Sequence, residues 1–190
     1  MRRSVATVSL TPLVAALVLG ASCAGGETPG DDQIVTVTDT GIGNLAGLTT
    51  VEVEIVAEDG ATTPCCVWLA DEPDERRNGL MGVSDLRLAA GMVFVYTDDR
   101  DGAFYMYDTP MPLSIAFFDA DGAFVSAADM TPCTSDDAGD CPRYRAEGRY
   151  RTAIEVPAGT LADLGIGPGS RLRVVPDTET AAPCRSTDDG

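Results

Sequence analysis

Residues 103–125 read AFYMYDTPMPLSIAFFDADGAFV. Within this stretch LSIAFF (113–118) is followed, across Asp119-Ala120-Asp121-Gly122, by a second apolar run, AFVSA (123–127). Both runs are short and rich in aromatic and branched residues, and Asp-Gly between two such runs is a strong hairpin signal. The same grammar extends outward. Val51, Val53 and Ile55 alternate with Glu52 and Glu54, and Leu172 and Val174 alternate with Arg171 and Arg173, the period of half-buried strands. Between them lie CVWLA (66–70), MVFVY (92–96), AFYMY (103–107) and TAIEV (152–156), with a second hairpin signal at Asp101-Gly102. Many short strands joined by Asp/Gly turns predict a mainly β fold, a compact antiparallel β-sandwich or barrel. One segment breaks the rhythm. DEPDERRNGLM (71–81) places Pro73 among acids near its start and Gly79 near its end, which predicts a single short helix. A further helical turn is expected at Thr160–Leu164, stopped by Gly165.

The charge balance excludes whole classes of chemistry. The chain of 190 residues carries 13 cations, all Arg, against 30 acids, a net charge of −17, and it has no His. Such a chain is repelled by a phosphate backbone, so no nucleic-acid partner is expected. Without His there is no Ser–His or Cys–His nucleophile pair and no His metal site. Without Lys there is neither Schiff-base chemistry nor a phosphate-binding lysine of the Walker kind. A hydrophobic share of 44% is ordinary for a chain with one packed core.

The first residues, MRRSVATVSLTPLVAALVLGASC, begin with Arg2 and Arg3 and continue with an apolar run from about Leu10 to Leu19 and the small residues Gly20, Ala21 and Ser22. That order describes a secretory signal peptide over residues 1–22; the run is too short to span a bilayer. Cys23 follows directly, as in a bacterial lipoprotein signal whose cysteine receives acyl chains. Two or more such chains anchor a protein stably, at roughly 0.8 kcal/mol per buried methylene. The expectation is therefore an exported protein held in the cell envelope, with the membrane as partner through Cys23. Loss of Arg2 and Arg3 leaves 11 cations against 30 acids, a mature charge of −19. Residues 23–48 read as a lipid-anchored flexible tether, 49–176 as the β domain and 177–190 as a polar tail.

Four motifs then carry a resemblance. ADEPDERRNGLMG, GMVFVY, AFYMYDTPMPLSIAFFDADGAFV, and AIEVPAG with GIGPGSRLRV occur in the order found in the family known as domain of unknown function 192. The resemblance spans about Val51 to Val175. It implies a compact, jelly-roll-like β-sandwich with one short helix, often exported, and no established reaction. It also marks departures. Val83 stands where members carry Arg, Tyr105-Met106-Tyr107-Asp108-Thr109 where they read Trp-Met-Lys-Asn-Thr, and Ser114 where they have Asp. Apolar and turn positions are kept and polar ones are replaced, which implies a retained fold with an altered polar site.

Candidate residues follow. Cys133 and Cys141 bracket the polar loop PCTSDDAGDCP and are expected to bond in an oxidising compartment. Cys184 is open to pairing with either Cys65 or Cys66, leaving one thiol over. Neither a metal site nor a cofactor is expected, since no His and no Cys-x-x-Cys is present. Met81, Met92, Met106, Met111 and Met130 read as core filling rather than a Cu(I) site. The acids at 98–101 and 119–121 read as turns rather than Ca²⁺ loops. Tyr105, Tyr107, Asp108 and Thr109 form the candidate ligand surface, since in a strand either Phe104 and Met106 or Tyr105 and Tyr107 must face outward or into a cleft. No catalytic residue is assigned. The favoured reading is a non-catalytic binding or accessory module for an envelope ligand or protein; the alternative is a hydrolase-type enzyme working through Asp108, Thr109 and Glu155.

Overall fold

The computed structural model describes residues 43–175. The signal segment, Cys23, most of the expected tether, the tail and Cys184 lie outside the described residues. The fold is mainly β with one short helix. Its strands are β1 (Thr50–Val56), β2 (Thr62–Ala70), β3 (Met92–Arg100), β4 (Ala103–Phe104), β5 (Leu113–Phe118), β6 (Phe124–Met130), β7 (Tyr144–Arg145), β8 (Tyr150–Pro157) and β9 (Arg171–Val175); the helix α1 is Pro73–Asn78. Seven strands form one sheet in the order β6-β5-β8-β3-β2-β1-β9, and β4 and β7 pair as a separate ribbon.

The sheet curls until its edges touch. Phe124 N donates to Ser170 O at 3.0 Å, and Leu172 N donates to Gly122 O at 2.9 Å. Gly122 has φ +73, and a Cβ there would lie 2.4 Å from Leu172 O, so the contact requires glycine. The result is barrel-like without being a fully closed barrel. Val53 and Ile55 of β1, Val67 of β2, Phe118 of β5 and Ile154 of β8 share one buried cluster, which only a curled sheet allows, since β1 and β5 are not neighbours within it.

One pairing corrects the expectation of an all-antiparallel sheet. β2 and β3 run parallel, Trp68 opposite Met92 and Ala70 opposite Phe94. A parallel pair needs a crossover of a dozen or more residues, and residues 71–90 supply it with α1 at their start. α1 lies within the 71–81 segment expected to hold a short helix, starting at Pro73 and stopping before Gly79. Glu75 Oε2 accepts from Glu72 N at 3.0 Å to fix its start, and Gly79 ends it by turning to φ +47. The expected helical turn near Thr160 is a set of turns, with Leu164 N bonded to Thr160 O at 3.3 Å. Asp121-Gly122 does join a hairpin, β5 to β6, whereas Asp101-Gly102 does not, because β3 pairs with β2 and β8 while β4 pairs with β7.

A second buried cluster covers the opposite face of β3, β5 and β8. It joins Met92, Phe94, Ile115 and Phe117 of the sheet to Leu80, Val83, Leu86 and Met106 from irregular segments. Leu45, of the 3-10 turn Gly43–Leu45, is buried there too. Met92, Met106 and Met130 are buried in the same cluster as core filling. β5 is buried at all six positions because both of its faces are covered.

The crossover is seated by one tight contact. A Cβ on Gly91 would lie 2.0 Å from the backbone oxygen of Glu155 on β8. Gly91 O meanwhile accepts from Trp68 N at 2.9 Å, and Trp68 Nε1 donates to Leu86 O at 3.1 Å. Gly91→Ala is therefore expected to cost at least about 3 kcal/mol, the upper end for overpacking. Urea denaturation checks this; a loss below about 1 kcal/mol would show that the backbone gives way there.

Candidate functional site

The irregular covering of the second cluster leaves a cavity of about 330 Å³. Its floor is Glu155. On β8 that residue alternates onto the same face as Ala153, between Met92 of β3 and Ile115 of β5, its direct cross-strand partners. Glu155 is 5% exposed, and its carboxyl makes no hydrogen bond to another described residue. Its carboxyl lines the cavity rather than being sealed behind it. Burial alone pushes its pKa up to about 8, with no cation or donor close enough to offset the desolvation.

Aromatic rings form the walls. Phe94 and Phe104 meet edge to face at 5.0 Å, Phe117 lies 4.9 Å from Tyr150, and Tyr96 meets Tyr150 edge to face at 5.7 Å. Burial raises the phenol pKa of Tyr150 well above its usual range, and that of Tyr96 as well, although Arg76 opposes the latter shift. Tyr105 continues the wall, with Arg143 stacked on its ring at 4.4 Å.

The exposed part of the lining is cationic. α1 brings Arg76 and Arg77 to the rim, and the end of β3 brings Arg100. Arg77 is tied to Asp74 at 2.7 Å. Arg76 donates through Nη1 to Val95 O at 3.0 Å and to Asp71 O, and pairs with no carboxylate among the described residues. Arg100 likewise has no ion pair there. The guanidinium carbons of Arg76 and Arg100 lie 5.0 and 5.1 Å from the centroid of one ring, Tyr96.

The sequence model of the family of uncharacterized ACR known as domain of unknown function 192 matches residues 54–174. The chain belongs to this family. Two solved structures share its fold. One, described as a candidate transcription regulator from Sinorhizobium meliloti 1021, is 26% identical with a TM-score of 0.59, over 67% of this chain and 95% of that one. The other, a protein of unknown function from Novosphingobium aromaticivorans DSM 12444, is 25% identical with a TM-score of 0.59, over 76% of this chain and 99% of that one. No curated protein matches the chain.

Set against the family pattern, the departures have local explanations. Val83 is fully buried in the second cluster. Ser114 Oγ bonds the Asp129 carboxylate and accepts from Gly159 N at 2.9 Å, so a hydroxyl fills the polar position. Asp108 has φ +50, a left-handed conformation that Asn and Asp tolerate better than most side chains. Its carbonyl accepts from Gly82 N at 2.6 Å and its side chain is exposed.

The candidate ligand surface is therefore divided. Tyr105 and Thr109 line the cavity, whereas Asp108 does not, and Tyr107 turns toward Asp136 O at 3.5 Å. The strand ends at Phe104, so the alternation expected over 103–107 is lost, and the consecutive residues Phe104 and Tyr105 both face the cavity. The Thr109 hydroxyl is spent on Tyr107 O at 3.1 Å. Cys133 and Cys141 are bonded, closing a loop that carries Ala138, whose carbonyl accepts from Arg143 at 2.8 Å. Closing so short a loop contributes about 2–3 kcal/mol. Cys65 and Cys66 are also disulfide-bonded, so the expected spare thiol is not among the described residues.

The rim and most of the walls escaped the sequence. Arg76, Arg100, Tyr96 and Tyr150 come from three separate elements, and nothing in their spacing joins them. Glu155 did leave a signal, an acid inside the otherwise apolar run TAIEV (152–156).

The buried acid makes stability depend on pH. Folded Glu155 holds its proton up to about pH 8, against an ordinary value of 4.5, so between those limits the folded chain binds more protons than the unfolded one. Its contribution is fully present below the lower limit and is lost as pH rises, at up to about 1.4 kcal/mol per pH unit. The melting temperature should fall from pH 5 to pH 8, and Glu155→Gln should flatten that fall. Parallel curves for the two proteins would refute a proton on Glu155.

Proposed function

We propose that this protein is an exported, membrane-anchored binding module whose cavity takes a small organic ligand. The observation that carries the reading is the Glu155 carboxyl, largely desolvated on an apolar face, hydrogen-bonded to no side chain or backbone group among the described residues, and reaching accessible space where it lines an aromatic-walled cavity. A perturbed acid lining a cleft is a mark of a functional site. About 330 Å³ falls at the lower end of small-molecule pockets, which suits a metabolite rather than a polymer.

The enzyme reading has less support. It draws on Asp108, Thr109 and Glu155, yet Asp108 is exposed outside the cavity and the Thr109 hydroxyl is engaged by its own chain. Among the described residues that line the cavity, Glu155 then stands without a free nucleophile or a second acid. A role on DNA, which the description of the S. meliloti relative would suggest, is opposed by the net charge of −17. Anchoring rests on the basic start, the short apolar run and Cys23.

Screening by thermal shift tests the cavity. A ligand should raise the melting temperature of the wild type and leave unchanged that of a folded Ala103→Trp variant, which fills the cavity from β4. An equal rise in both would place binding elsewhere. Anchoring is tested by the intact mass of the mature protein extracted from membranes, which should carry acyl chains on Cys23. A thioether takes the Cys23 sulfur out of any disulfide and leaves Cys184 as the one further partner open to Cys65 and Cys66, so finding Cys23 in a disulfide would exclude the anchor.

A further inference from the structure

We propose that the ligand is a zwitterion, its ammonium-type group held between aromatic faces against Glu155 and its anionic group held by Arg76 and Arg100 at the rim. The inference rests on the binding reading and assigns the chemical class of what binds.

The cavity is polarised along its depth. At the floor a single carboxyl is surrounded by apolar neighbours, Met92 on β3 and Ile115 on β5. The ionisable groups that share the cavity with it are Tyr96 and Arg100 of β3, Tyr150 of β8, Tyr105, and Arg76 and Arg77 of α1. None of them hydrogen-bonds the carboxyl. A ligand that reaches the floor takes the place of solvent at the carboxyl, and the strongest match for the ionised form of that carboxyl is a cation. The walls reinforce that choice. Phe94, Phe104 and Tyr150 line the same space, and a desolvated cation is attracted to the faces of such rings.

The rim has the opposite requirement. Two guanidinium groups converge on the Tyr96 ring, at 5.0 and 5.1 Å from its centroid, and so lie no more than about 10 Å apart. In a chain of net charge −17, neither is matched by a carboxylate among the described residues. Arg76 uses only Nη1 on backbone carbonyls, which leaves its remaining N–H groups to donate. Two cations without a counter-ion among the described residues leave the rim open to an anion, and a carboxylate or phosphate docking there accepts charge-assisted hydrogen bonds. An anion alone could meet the floor only through the protonated form of Glu155, and a cation alone would leave the rim without a counter-ion.

Occupancy carries a proton with it. At pH 7 the empty site holds Glu155 neutral, and an arriving ammonium group favours the ionised form. The carboxyl proton passes to solvent as the ion pair forms, so binding releases a proton and tightens as pH rises toward 8.

A matched set of probes decides the matter by calorimetry: aminohexanoate as zwitterion, hexanoate as anion and hexylammonium as cation, with glycine betaine and the protein amino acids as further zwitterions. The expected result is a zwitterion that binds at least about tenfold tighter than either half-molecule. Comparison of two buffers of different ionisation enthalpy should show proton release. Glu155→Gln should abolish the proton release and the preference over hexanoate, and Arg100→Ala should weaken zwitterions and hexanoate alike while sparing hexylammonium. Both variants are checked for native melting first. Anions that bind as tightly as zwitterions, with no proton released, would overturn the zwitterion and leave the binding module standing. Failure of every probe, joined to a thermal-shift screen without a single cavity-dependent ligand, would overturn both.

Discussion

At Gly91 the chain lies so close to the Glu155 carbonyl that no side chain fits between them. Much follows from that contact. It lets the crossover after α1 return alongside β8, so that β3 can pair with β2 on one side and β8 on the other. It fixes the register in which Glu155 stands opposite Met92 and Ile115. The alternation of β8 then sends Ile154 and Val156 into the curled interior and Ala153 and Glu155 to the opposite face. A carboxyl is thereby committed to an apolar layer by backbone geometry, with its neighbours set before any ligand is considered.

The covering over that layer is what turns a misplaced acid into a site. A second sheet would have packed flat against β3, β5 and β8 and left Glu155 either excluded or crushed. Irregular segments cover the face instead, and they do not close over its centre. The disulfide loop 133–141 props one of them: Cys133 N donates to Met106 O at 3.2 Å, and Arg143 lies on Tyr105. The helix supplies the other flank. Rigid strand, stapled loop and short helix thus meet around one volume, each contributing a different chemical character.

The parts of this arrangement visible in sequence were those governed by local rules. Alternation in 51–55 and 171–174, the Asp121-Gly122 turn, the Pro73 start and Gly79 stop of the helix, and the Cys133–Cys141 pair all depend on near neighbours, and each has its counterpart in the structure. The parallel β2–β3 pair was hidden because strand direction is decided by where the crossover lands. AFYMY read as a strand because its composition suits one, yet from Tyr105 onward the chain takes its course from the covering layer, ending in the left-handed Asp108. Asp108 looked chemical and is conformational. Glu155 stood out in sequence only as an acid in an apolar run, and its place on the cavity floor was hidden because burial is a property of the assembled sheet. The loss of family polar residues at 83 and 114 suggested a stripped site, whereas the polar groups of the cavity come from Arg76, Arg100, Tyr150 and Glu155.

The meeting of the two outer strands at Gly122 and Leu172 has a consequence for life among other proteins. An open sheet offers rows of unpaired amides to any passing chain, and such rows are where strand exchange and fibre growth begin. Here each outer strand spends part of its row on the other. β9 also carries Arg171 and Arg173, the latter bound to Glu54 at 3.0 Å, so what remains of its edge is guarded by charge. A foreign strand would have to displace an existing partner and accept two guanidinium groups. The curl therefore protects the protein's solitude as well as its core.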